Sequence, residues 1–192
     1  MKITNLKVNR INNPLGFNLG KPTLSYIVED TKAKKQIYAQ IIVALDETFE
    51  NIVYDSAKKE DLNSLAFELS IDLEPYTKYY WKVSVLGDNG EFGTSDVAWF
   101  ETGKLRNRWE AKWITPNIES EKLPMFTKKI EVSQKIKNAR AYVCGLGLYE
   151  LEINGNKIGD EYFAHGFNNY DKWIQYQTYD ITDSFIEGTN NI

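Results

Sequence analysis

Apolar and polar residues alternate with a period of two in short runs along the chain, and no stretch carries the three-to-four spacing of an amphipathic helix. Ile37, Ala39, Ile41 and Val43 alternate with Tyr38, Gln40 and Ile42, and Tyr79, Trp81, Val83 and Val85 alternate with Tyr80, Lys82 and Ser84. Successive side chains of a strand point to opposite sides, so each run has one face to bury. Turn formers separate the runs: Asp46-Glu47-Thr48, the polar stretch from Ser56 to Asp61, and Gly87-Asp88-Asn89-Gly90. Further along, Phe126, Lys128, Ile130 and Val132 alternate with Thr127, Lys129 and Glu131 and predict a strand exposed on one side. Ala139 to Ile153 reads as a long β stretch interrupted at Gly145 and Gly147, where glycines mark a bulge or a close backbone approach. Asn154-Gly155 supplies a type I′ hairpin turn, because both residues tolerate positive φ, and Ile158 resumes the strand. Asp180 or Thr182 is placed to cap a helical turn that stops at Gly188, with a further strand expected beyond Ile192. The pattern predicts an all-β protein.

Composition sets the scale. The 192 residues are 42% hydrophobic and 14% aromatic, enough for one large or two small globular domains. Lys104 to Arg108 is a polar, cationic stretch followed by a new aromatic-anchored segment, so residues 1–103 and 109–192 are expected as two domains with a linker at 104–108. The net charge of -4 is spread along the chain, which excludes a basic stripe for nucleic acid. No run is apolar and long enough to span a bilayer, and the alternating start MKITNLKVNR is unlike a secretory leader. With Cys144 as its only cysteine the chain forms no internal disulfide, and the expected location is the cytoplasm. Cys144 itself reads as a small buried hydrophobe within a strand.

Two groups of motifs carry a family resemblance. Leu73-Glu74-Pro75-Tyr76-Thr77-Lys78-Tyr79-Tyr80-Trp81-Lys82-Val83 resembles the corner and following strand of fibronectin type III domains, in which a tyrosine packs over the corner and an aromatic enters the core. In the second region Trp109-Glu110-Ala111-Lys112-Trp113-Ile114, then Ala139 through Gly155, then Tyr176-Gln177-Thr178-Tyr179-Asp180-Ile181-Thr182 look like the N-terminal domain signature of bacterial α-L-rhamnosidases. The resemblance implies a fibronectin-III-like sandwich followed by part of a galactose-binding-like jelly roll. Eight strands of about six residues and their connections call for well over a hundred residues, more than Trp109 to Ile192 provides. It also implies a parent enzyme that removes terminal α-linked L-rhamnose with carboxylates on a downstream α/α-toroid domain. The partners implied are that domain and a rhamnose-containing carbohydrate, and this chain alone is expected to be inactive. Where many relatives read Pro-Gly-Trp-Thr-Asp-Tyr, this chain reads His165-Gly166-Phe167-Asn168-Asn169-Tyr170.

Sugar recognition uses aromatic faces against C–H surfaces and planar polar groups against hydroxyls. Residues 162 to 176 supply Tyr162, His165, Asn168, Asn169, Tyr170, Asp171, Trp173 and Tyr176, and His165, Asn169, Tyr170 and Trp173 are the candidate carbohydrate contacts. Trp173 and Tyr176 also suit core packing, and Asn168-Asn169 suits a turn. His165 is the only histidine, so a histidine metal cluster is excluded. No serine in a nucleophile-elbow setting accompanies it. Glu150, Glu152, Asp160 and Glu161 offer oxygens for structural calcium, although their spacing matches no loop code; no cofactor is assigned. The competing readings are an independent sugar-binding module and a multi-sandwich scaffold or adhesion protein.

Overall fold

The computed structural model describes residues 1–117 and 122–192. They form two compact units, Met1–Asn107 and Arg108–Ile192.

Nine strands build the first unit: β1 (Lys2–Val8), β2 (Leu15–Phe17), β3 (Thr23–Glu29), β4 (Gln36–Ala44), β5 (Ile52–Asp55), β6 (Phe67–Glu68), β7 (Lys78–Gly87), β8 (Phe92–Thr94) and β9 (Ala98–Thr102). One sheet has the order β1-β3-β6 and the other β2-β9-β7-β4-β5, with β8 also on β7. All pairs are antiparallel except β2 on β9, which is parallel. The alternation predicted for β4 and β7 is realised, since Ala39, Ile41, Val43, Tyr79, Trp81, Val83 and Val85 all enter the core. Ile3, Val8, Leu24 and Tyr26 of the smaller sheet close it from the other side, as two sheets facing each other through their apolar faces require. At the corner before β7 the Tyr79 hydroxyl accepts a hydrogen bond from the Glu74 N–H at 2.9 Å. Its ring stacks on Phe100 with centroids 5.0 Å apart. Thr102 completes the corner: its hydroxyl donates to the Glu74 carbonyl at 2.6 Å and accepts from the Thr77 N–H at 2.9 Å.

The second unit contains β10 (Lys129–Val132), β11 (Arg140–Val143), β12 (Leu151–Ile153), β13 (Asn156–Ile158), β14 (Gln177–Asp180) and β15 (Gly188–Asn191). Among the described residues these form three separate two-stranded ladders, β10-β15, β11-β14 and β12-β13. Their buried apolar cluster is Ile153, Tyr179 and Ile181, with Ala141, Val143, Leu151 and Ile158 partly buried around it. Asn154 and Gly155 make the hairpin turn with φ of 53° and 77°, as a type I′ turn demands. Asn154 does more than turn the chain. Its amide donates to Asn190 Oδ1 at 2.8 Å and to the Ser184 carbonyl at 3.1 Å, and its Oδ1 accepts from the Asn191 N–H at 2.9 Å.

Several expectations change here. The strand foreseen from Phe126 begins at Lys129, and the long β stretch from Ala139 divides into β11 and β12 around a loop at 144–150. The helical turn is a short 3-10 segment, Thr182–Ser184, preceded by Asp180 accepting from the Thr182 N–H at 3.0 Å. Gly188, read as the stop of the helical turn, opens strand β15, which pairs with β10. Positive φ at Gly188, 99°, lets the chain reverse into it.

Candidate functional site

The candidate sugar-binding residues lie on the long connection between β13 and β14, which folds against the loop that follows β11. A backbone link joins them, the Tyr149 N–H donating to the Ala164 carbonyl at 2.9 Å; within the connection the Gly166 N–H donates to the Phe163 carbonyl at 2.9 Å and closes a turn. His165 sits at this junction. Its Nε2 lies 2.7 Å from the Gly145 carbonyl, and Asn168 Nδ2 contacts its Nδ1. A carbonyl only accepts, so Nε2 donates to Gly145, and the Asn168 side-chain amide engages the other ring nitrogen. The His165 ring meets Tyr149 edge-on at 6.1 Å. A Cβ at Gly145 would stand 3.1 Å from the Tyr149 ring, which explains the glycine beside the junction.

Asn168 is 2% exposed. The sequence offered it as a turn residue, whereas the structure makes it the inner anchor of the loop. Asn169 is the true turn former, its carbonyl accepting from the N–H groups of Lys172 and Trp173 at 2.9 and 3.0 Å. Outside the anchor the loop displays apolar surface: Phe167 is 95% exposed, Trp173 54% and Tyr170 43%. Tyr176 turns the other way, edge-on to Trp109 at 5.6 Å and tilted against Tyr142 at 6.2 Å. Of the two rings read as packing or binding residues, Tyr176 therefore packs and Trp173 faces outward. Tyr162 is exposed and carries the Lys157 ammonium 3.7 Å over its ring.

Beneath the junction Tyr149 and Tyr179 both donate to Gln177 Oε1, at 2.7 and 3.1 Å, with their hydroxyls 3.3 Å apart. Burial drives the Tyr149 phenol far above its ordinary value and raises that of Tyr179, so both stay protonated hydrogen-bond donors. Cys144 lies just past β11, half-buried, with its thiol donating to the Gln175 carbonyl at 3.4 Å. Burial raises its pKa, the opposite of what a reactive thiolate needs. The four carboxylates considered for calcium do not gather: among the described residues no three His, Cys, Asp or Glu side chains converge. Glu150 instead pairs with Lys157 at 3.6 Å.

Comparison with known proteins places this geometry. The profile described as the Rha78A-like N-terminal immunoglobulin domain matches residues 3–106, and that of the α-L-rhamnosidase N-terminal domain matches residues 134–192. The chain belongs to the N-terminal region of the α-L-rhamnosidases, with a Rha78A-like immunoglobulin domain in front. An α-L-rhamnosidase of Formosa agariphila is 32% identical over 216 residues, covering 95% of this chain and 23% of the relative. The solved α-L-rhamnosidase of Dictyoglumus thermophilum superposes with a TM-score of 0.86 at 33% identity, covering 100% of this chain and 24% of that one. That of Aspergillus terreus gives a TM-score of 0.78 at 24% identity and attests the fold. The chain thus spans about a quarter of the length of its relatives and corresponds to their N-terminal, non-catalytic module, which in those enzymes accompanies a catalytic domain.

Proposed function

We propose that this module supports the catalytic portion of an α-L-rhamnosidase that releases terminal α-linked L-rhamnose from glycosides or polysaccharides, and that its 162–176 loop contributes sugar contacts. One observation carries the supporting role: among the described residues the second unit has a buried apolar cluster of three residues, against sixteen in the first. Large apolar side chains such as Leu123, 99% exposed, stand outside it. Two-stranded ladders with so small a core are marginal by themselves, so the unit is built to be covered by further protein. Within the loop, Tyr170, Trp173 and Asn169 are the sugar contacts. His165 and Asn168 hold them in place, because both ring nitrogens of His165 are already engaged. The free, half-buried thiol supports work in the reducing cytoplasm.

The purified chain is expected to release no rhamnose from an aryl rhamnoside; release that survives removal of contaminating enzyme overturns the reading. Titration with L-rhamnose, followed by tryptophan fluorescence, is expected to shift the wild-type emission and not that of Trp173→Phe. A flat response up to high millimolar sugar removes the sugar-contact role and leaves the supporting one.

A further inference from the structure

Two asparagines of this chain precede a glycine, Asn89 in the β7–β8 turn and Asn154 in the β12–β13 turn. A glycine in that place leaves its backbone nitrogen unshielded, because no Cβ stands between it and the neighbouring side-chain amide. The two sites share this chemistry and differ in what holds them. Asn154 is half-buried, its amide donating to Asn190 and to the Ser184 carbonyl and its Oδ1 accepting from the Asn191 N–H. Asn89 is exposed. Its Oδ1 accepts from the Glu91 N–H at 3.1 Å, and its Nδ2 donates to Glu91 Oε1 at 2.6 Å. The Gly90 N–H donates to the Gly87 carbonyl at 3.0 Å across an exposed turn, a bond of the kind that opens readily to water.

We propose that Asn89 is a site of spontaneous modification, losing its side-chain amide as ammonia, and that the loss releases the 30–35 loop from Glu91. The Gly90 nitrogen attacks Asn89 Cγ and gives up its proton to solvent. A C–N bond forms, and negative charge develops on Oδ1, where the Glu91 N–H already donates and stabilises it. The bond from Cγ to Nδ2 then breaks. The departing nitrogen takes one proton from solvent and leaves as ammonia, its transient positive charge facing the Glu91 carboxylate. Water opens the resulting cyclic imide at either carbonyl, giving aspartate or isoaspartate. The consequence follows from what else Glu91 holds. The oxygen that accepts from the Asn89 amide also accepts from the Lys32 N–H at 3.2 Å, while the other accepts from the Thr31 hydroxyl at 2.7 Å. Aspartate puts a second carboxylate where a donor stood, and like charges so placed repel. Isoaspartate lengthens the backbone of the turn and removes the same donor. Either product weakens the grip of Glu91 on Thr31 and Lys32, leaving the loop the Lys34 N–H bond to Asp88.

The test ages the full chain in warm, mildly alkaline buffer, folded in one sample and unfolded by urea in another. Peptide mapping by mass spectrometry follows the exchange of amide for acid, and labelling by an isoaspartyl methyltransferase counts isoaspartate. Asn89 is expected to lose its amide about as fast in the folded chain as in the unfolded one. Asn154 is expected to fall about tenfold behind its own unfolded rate, since its three hydrogen bonds must open first. An Asn89 that keeps its amide in the folded chain while the unfolded chain loses it, or an Asn154 that keeps pace with Asn89 in the folded chain, overturns the assignment. Asn89→Asp, a change at an exposed side chain, reads the consequence by limited trypsin digestion. Cleavage after Lys32, Lys34 or Lys35 is expected to rise about tenfold while cleavage after the exposed Lys58 stays that of the wild type. Cleavage of the loop at the wild-type rate overturns the release.

Discussion

Tyr79 does two jobs with one side chain, filling space against Phe100 and accepting the Glu74 N–H. Tyr79→Phe keeps the first and removes the second, leaving a partly buried donor without its acceptor. The expected cost is about 1 kcal/mol, read as a lower urea midpoint of the first unit with an unchanged slope. Glu91 is a different case, held by the surface rather than the core. Its carboxylate accepts from the Thr31 hydroxyl at 2.7 Å, the Lys32 N–H at 3.2 Å and the Asn89 amide at 2.6 Å. These bonds, the Thr31 hydroxyl foremost, lower its pKa from 4.5 to about 2. A carboxyl with a depressed folded-state pKa stabilises the fold above its unfolded value and loses that contribution as pH falls through the folded one. Wild-type stability should therefore decline between about pH 4.5 and about pH 2. Glu91→Gln should melt lower at neutral pH and decline less across that window, as thermal melts at stepped pH would reveal.

Strand β7 is the spine of the first unit, pairing with β4 on one side and with β8 and β9 on the other. Its ten residues alternate half-buried and buried without a break, which is why it was legible from the sequence, as β4 was. Strands of two to four residues, such as β2, β5, β6 and β8, repeat the pattern too few times to stand out, and their places follow from pairing with the long strands. The break in the Ala139–Ile153 stretch was written as two glycines. What the sequence did not say is that the Gly145 carbonyl leaves the strand to meet His165. Asn168 was hidden for the same reason: a contact between two side chains of one loop leaves no mark on hydrophobic periodicity, and asparagine at a turn is ordinary. Trp173 was readable as a residue type, but its outward direction depends on the turn at Asn169. At the level of elements, Phe100 on β9 is the sharpest probe, since it is fully buried between Tyr79 and the rest of the core. Phe100→Ala should cost about 3–5 kcal/mol through lost burial and a residual cavity, measured by chemical denaturation.

The two units differ in what holds them together. Among the described residues the buried apolar cluster of the first unit has sixteen members and that of the second three, so urea should unfold the chain in two steps with the second unit first. The tryptophans separate the steps: Trp81 and Trp99 belong to the first unit, and Trp109, Trp113 and Trp173 to the second. Replacing the last three with phenylalanine should silence the early fluorescence transition and spare the late one. Composition allows one large or two small domains, but it does not record whose core each side chain completes. Leu123 and Met125 count as core material in the sequence and lie on the surface of the fold. The parallel contact of β2 with β9 sets a clock for the first unit during synthesis. Glu101 N–H bonds to the Pro14 carbonyl and Gly103 N–H to the Phe17 carbonyl, so a segment made near the start is completed by one made some eighty-five residues later. At ~5–20 residues per second the early strands leave the ribosome and wait several seconds or more for β9. Through that interval β2 has no sheet to join.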